Sequence, residues 1–158
     1  MSEALQLRTR IIEAARQRIE HYYGPSGELE KLFRDVRQGP YRPTKVRPTC
    51  TVTDNGQTSV QGDDDITSAR MLGMRLVLDL AADWTKVAKE QEWTDRVELL
   101  VALLHNWLPE DCGMLAMKYS GDEPVDPIFI SGEAPAIWVI DFDATYFVEC
   151  NEPEDWEE

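Results

Sequence analysis

Two stretches of this chain alternate apolar and polar residues with period two. In residues 70–82 (RMLGMRLVLDLAA), Leu72, Met74, Leu76, Leu78 and Leu80 fall on one side, and Gly73, Arg75 and Asp79 on the other. In residues 136–149 (AIWVIDFDATYFVE), Trp138, Ile140, Phe142, Ala144, Tyr146 and Val148 share a side, while Asp141, Asp143, Thr145 and Glu149 point away. Successive side chains of a strand project to opposite faces, so each stretch predicts a long strand with one buried face. Strands of this kind imply a sheet covered by helices on one side and open, or docked against a partner, on the other.

The remaining pattern supplies the helices and the connections. Leu5, Arg8, Ile12, Ala15, Ile19 and Tyr22 recur at helical spacing, with Ile11 widening the stripe, and Gly24-Pro25-Ser26-Gly27 ends that helix. Residues 29–36 fit either a helical turn or a strand carrying Leu32 and Val36. Gly39, Pro40, Pro43 and Pro48 then break up a basic loop holding Arg37, Arg42, Lys45 and Arg47, which reads as a linker. Asn55-Gly56, set between two Thr-rich runs in residues 49–60, predicts a polar hairpin, and Gly62-Asp63-Asp64-Asp65 forms a loop into the long strand.

Residues 82–92 predict a short helix or turn with Trp84 and Val87. Residues 94–108 predict a clear helix, capped by Thr94 or Asp95 and closed by Pro109, with Val97, Leu100, Val101, Leu104 and Trp107 or Leu108 as its buried stripe. In residues 114–119 a strand would set Leu115, Met117 and Tyr119 against Met114, Ala116 and Lys118. Residues 122–135 read as a polar, proline-broken connection around the patch Ile128-Phe129-Ile130, and residues 149–158 as an acidic, mobile tail. The expected fold class is α/β (α+β): a mainly antiparallel sheet of four to five strands packed by two main helices. It occupies a single domain over residues 1–150, followed by the tail at 151–158.

Composition narrows the function. At 158 residues with 42% hydrophobic content, the chain can bury a core without crosslinks. Cys50, Cys112 and Cys150 are too few and too scattered for a disulfide framework or a zinc site. No apolar run approaches a membrane span and the N-terminus lacks a secretory core, so a cytosolic setting without membrane contact is expected. The net charge is -14, but residues 1–50 hold ten Lys and Arg against six Asp and Glu, leaving the acidity to the rest. An acidic body repels nucleic-acid phosphate, and a basic end beside an acidic one suits head-to-tail contact between copies.

Candidate chemistry is sparse. Asp63, Asp64 and Asp65 are consecutive, and consecutive carboxylates rarely converge on one cation. Asp141 and Asp143 point to one side of a strand, but lack a third carboxylate and a nearby lysine at nuclease-like spacing. His21 and His105 sit near helix C-termini, where the dipole favours an imidazolium. No nucleophile elbow or phosphate-cradling glycine loop is present in the sequence. The expectation is therefore no catalytic residues, no metal site and no cofactor.

The order of elements resembles the tail terminator proteins of long-tailed bacteriophages and the related minor tail and neck proteins. Those proteins open with an amphipathic helix like residues 5–22, then a Pro-containing loop and a strand like residues 48–53. They continue with a long amphipathic strand like 70–82, a helix like 94–108 and a C-terminal strand ending in an aromatic, as WVIDFDATYFV does. The resemblance implies a virion structural protein, assembled in the host cytoplasm, that forms a homohexameric ring at the head-proximal end of the tail. Its implied partners are its own copies, the tail tube protein, a head–tail connector or neck protein, and genomic DNA passing through the lumen without specific binding. On that reading Arg37, Arg42, Lys45 and Arg47 contact a neighbouring subunit, and Asp63, Asp64, Asp65, Asp141 and Asp143 face the lumen. The acidic tail and the bulky 122–135 segment would equally suit a head-completion or connector protein. From other classes stand a small metal-dependent hydrolase built on Asp141 and Asp143, and an adaptor or immunity-type protein whose acidic surface mimics nucleic acid.

Overall fold

A computed structural model of the chain describes residues 3–42, 46–59, 67–80, 87–125 and 136–149. In chain order these form α1 (Glu3–Tyr23), β1 (Asp35–Gln38), β2 (Thr49–Ser59), β3 (Thr67–Leu80), α2 (Val87–Leu104), β4 (Met114–Val125) and β5 (Ala136–Glu149). The strands make one five-stranded sheet in the order β1-β2-β3-β5-β4. Only β1, beside β2, runs parallel to its neighbour. The fold is thus α+β with a mostly antiparallel sheet, as the pattern predicts.

The alternation in the two long strands is realised as one buried face. Leu72, Met74, Leu76, Leu78 and Leu80 of β3 and Ile140, Phe142, Ala144 and Tyr146 of β5 are fully buried, with Trp138 close behind. Because β3 and β5 pair without a register shift from Thr67↔Glu149 to Leu80↔Ala136, these side chains stack row on row. Each fully buried Leu or Ile here contributes about 1.5–3 kcal/mol relative to an exposed one.

Both helices lie on that face. α1 offers Leu7, Ile11, Ile12, Ala15, Ile19 and Tyr23 and packs against β1 and β2. It stops at Gly24, whose N–H donates to the Glu20 carbonyl at 3.0 Å. A Cβ there would lie 2.6 Å from that same oxygen, so a larger residue would push the chain out of the turn. α2 offers Trp93, Val97, Leu100 and Leu104 and packs against β4. Arg18 joins the two helices: its Nε donates to the Leu103 carbonyl at 3.0 Å while its guanidinium lies over Tyr22 and Trp107.

Several sequence expectations need correction. Asn55-Gly56 is no hairpin turn: β2 continues through it, and the pairing with β3 shifts between Asp54 and Gln57. Gly56 takes φ 107°, and its N–H donates to the Asp54 carboxylate at 2.9 Å. A glycine at positive φ serves a bulge as readily as a tight turn, so the dipeptide alone could not discriminate. α2 starts at Val87, so Thr94 and Asp95 are exposed interior positions and not caps, and the segment read as a short helix or turn belongs partly to the main helix. The helix ends at Leu104 with Asn106 in the left-handed conformation (φ 64°), ahead of Pro109.

β4 runs to Val125, so residues 122–125 belong to the sheet and not to a connection. Its register shifts between Met114 and Ala116, which turns Leu115 outward and leaves it exposed, not buried with Met117. Residues 29–34 form neither a helix nor a strand, although Leu32 and Phe33 are buried; the strand begins at Asp35. β1 also takes Arg37 out of the loop and into the sheet. The 63–65 acidic loop, Lys45 and the 150–158 tail lie outside the described residues.

Candidate functional site

The second face of the sheet carries the polar half of the alternation, and its rows can be followed strand by strand. One row runs Arg37, Thr51, Val77, Val139, Glu123, and the next runs Asp35, Thr49, Asp79, Ile137, Val125. A third contains Thr53, Arg75, Asp141 and Gly121. This outer face is not simply solvated. Thr49, Thr51, Val77, Asp79 and Val139 are all buried.

Chain connectivity explains much of that burial. Because β1 and β2 are parallel, the chain must travel back past β1 before β2 begins, and on that return Tyr41 and Arg47 reach the outer face at Asp79. Tyr41 donates its hydroxyl hydrogen to Asp79 Oδ2 at 2.9 Å, and Arg47 Nε lies 3.1 Å from Asp79 Oδ1. The Asp79 side chain is 2% exposed, so an aspartate buried at the end of β3 is tolerable only because a cation and a hydroxyl close over it. Arg47 Nε and Asp79 Oδ1 are in ionic contact without an aligned hydrogen bond, and neither has another partner among the described residues. Burial and the Asp79 contact push the Tyr41 hydroxyl well above the usual phenol range.

A second ion pair lies two rows away, beyond the Thr51–Val77–Val139 row. Arg75 grips Asp141 in a two-point fork, Nε to Oδ1 at 2.8 Å and Nη2 to Oδ2 at 3.1 Å, with both side chains one-third exposed. The Asp141 hydrogen bond raises the pKa of the Arg75 guanidinium further. On the inner side, Arg8 of α1 forks onto Asp54 of β2. Burial pushes the Asp54 carboxyl up, but hydrogen bonds from Arg8 and from the Gly56 N–H, with the Arg8 charge, outweigh it and hold the group below the usual carboxylate range. This pair borders a cleft of about 490 Å³ between α1 and the β1–β2 edge, lined also by Ile12, Gln38, Pro40 and Thr53.

The residues singled out by sequence are thereby sorted. Arg37 is on the outer face of β1, with Nε 2.6 Å from Asp35. Arg42 is exposed and shares with Arg37, Gln38, Pro40 and Thr51 a pocket of about 300 Å³. Arg47 is turned onto Asp79 within its own chain, so the four basic residues do not form a single outward strip. Asp141 and Asp143 do share the outer face, but Asp141 is charge-paired with Arg75, and Asp143 lies opposite Gly73 and Lys118. Sequence reasoning missed Tyr41, Asp79 and Arg75 as one polar layer and missed Glu123 altogether. The only signal was that Arg75 and Asp79 stand on the polar side of the β3 alternation.

The two edges of the sheet differ. β4 is partly capped: the Asn106 N–H donates to the Met117 carbonyl at 2.8 Å, and the Tyr119 N–H donates to His105 Nδ1 at 3.1 Å. Beyond this cap, Tyr119 and Trp138 both donate to Asp122, and the phenol of Tyr119 is pushed up to about 12 by that hydrogen bond and by burial. Charge also separates by edge. Residues 3–42, which supply α1 and β1, hold eight Arg and Lys against six acids, whereas residues 87–125, which supply α2 and β4, hold three against eight. The asymmetry along the sequence is thus an asymmetry across the sheet.

Among the described residues, no three His, Cys, Asp or Glu side chains converge to hold a metal ion, and no helix is long and apolar enough to cross a membrane. Cys50 is fully buried and its thiol is pushed far up by desolvation, which disfavours a thiolate nucleophile. Neither protein-family models nor curated proteins provide a match to this chain.

Proposed function

We propose that this protein is a ring-forming virion structural subunit of the tail-terminator kind, which caps the tail tube of a long-tailed bacteriophage and offers the filled head its docking surface. The observation that carries this reading is the charge separation between the two edges of the sheet. A subunit with a basic flank and an acidic flank favours contacts between unlike surfaces, and such head-to-tail contacts close into rings when the rotation permits. The unbroken β3–β5 pairing gives each subunit a continuous frame on which the angle between neighbours can be set. The outer face, bearing Asp143 and the paired Asp141, is the surface proposed to line the passage for DNA, where a weakly negative wall avoids sticking.

The test has two parts. Native mass across a concentration series, followed by imaging, should give closed rings of about six copies. Removal of the gene from its phage should then give tail tubes of uncontrolled length. Tails of normal length that fail to join heads would move the protein to the neck, and catalytic turnover on nucleic acid with an added divalent cation would replace the structural role by an enzymatic one.

A further inference from the structure

From the cross-strand register we infer the contact between copies: Glu123 at the β4 edge of one subunit enters the Arg37–Arg42 pocket at the β1 edge of a second copy. The inference rests on the ring reading above and names the surfaces that such a ring would use.

Arg37 and Glu123 are the two ends of a single row across the outer face, joined through Thr51, Val77 and Val139. With neighbouring strands about 4.8 Å apart, the row spans about 19 Å. Placing a second copy edge to edge in the same orientation therefore continues the row, and the acidic end of one meets the basic end of the other. Strand direction is compatible, because β1 and β4 run in opposite senses within a subunit.

The chemistry of the two ends also matches. Glu123 is exposed and projects to the outer face, close enough for its charge to act on Arg75. The receiving pocket, about 300 Å³, sets the Arg37 and Arg42 side chains over Thr51, which is itself buried. Arg37 already contacts Asp35, so Arg42 is the cation with most to gain from an incoming carboxylate. The contact is made by side chains and not by an extended backbone ladder. Pro124 has no N–H to donate, β1 is only four residues long, and β4 is capped at Met117 and Tyr119. Such a contact is steered by charge and weakened by salt.

Charge exchange tests it on the full chain. Arg42→Glu and Glu123→Arg alter exposed side chains, and far-ultraviolet circular dichroism with thermal melting checks that each variant folds. Sedimentation velocity from micromolar to millimolar protein should show each single variant associating about tenfold more weakly than the wild type. The double variant should recover association to within about threefold, because the pair is re-formed with its signs exchanged. A wild type that stays monomeric, single variants that assemble as the wild type does, or a double variant that recovers nothing would overturn the inference. If rings form but the exchanges are silent, the contact is wrong and the ring reading stands. If the exchanges act as expected but the products are open chains, the contact stands and the tube-capping role fails.

Discussion

The inner and outer faces of the sheet solve the same packing problem with different chemistry. The inner face is a continuous apolar layer in which Leu72, Leu76, Ile140, Phe142 and their neighbours are fully buried beneath two helices. The outer face is also buried at its last two rows, where β3 ends, yet there it uses Thr49, Thr51 and Asp79, with Tyr41 and Arg47 closing over the aspartate. Apolar packing is redundant, since each side chain touches many others. A polar layer is not redundant: each donor and acceptor needs its own partner, so a single loss exposes a second group to the cost of being buried alone. The inner face should therefore set how stable the subunit is, and the outer face should set whether Tyr41 and Arg47 stay closed over Asp79.

The sharpest way to break this contrast is to remove one side chain from each face. Leu76→Ala should cost about 2–5 kcal/mol in denaturant unfolding, because Leu76 is fully buried and its truncation leaves a cavity in the apolar layer. A cost under 1 kcal/mol would mean that the inner face is loosely packed. On the outer face, Asp79→Asn should cost about 1–3 kcal/mol, since Arg47 then has a buried guanidinium nitrogen without a counter-charge. The replacement of the whole cluster, Tyr41→Phe with Arg47→Met and Asp79→Leu, should return stability to within about 1 kcal/mol of the wild type. If the triple variant is as unstable as the single one, the ion pair does more than satisfy itself.

The smallest effect belongs to the more exposed pair. A double-mutant cycle on Arg75→Ala and Asp141→Ala should give a coupling of about 0.2–1 kcal/mol, lower again in high salt. Both side chains are one-third exposed, against 2% for Asp79, so this pair keeps much of its hydration. A coupling as large as that at Asp79 would erase the distinction between the covered and open parts of the face.

What the sequence disclosed follows the same division. The period-two runs in β3 and β5 were legible because burial on one face leaves an alternating record at every second residue. β1 was not, because four residues with one apolar member, Val36, leave no period to count. Asn55-Gly56 was misread since its backbone preference is shared by turns and bulges, and only the partner strand decides between them. Thr94 stands in the helix interior because α2 starts at Val87 and its buried stripe includes Trp93, one turn before Val97. The polar cluster on the outer face was illegible for another reason: Tyr41 and Arg47 reach Asp79 from far along the chain, and local pattern carries no record of such pairings. The basic loop was visible as charge, but not the division by which Arg47 serves its own fold while Arg42 faces outward.

The one parallel pair in the sheet has an evolutionary corollary. Returning past β1 needs only about 13 Å of chain, whereas residues 39–48 reach about 33 Å when extended, so the return path carries surplus length. Insertions there can be absorbed without altering a strand register, while the Tyr41 and Arg47 anchors keep the ends in place. The stretch between these two anchors is thus where added length costs the fold least, and because it borders the Arg42 pocket, chains built on an unchanged scaffold can come to prefer different neighbours.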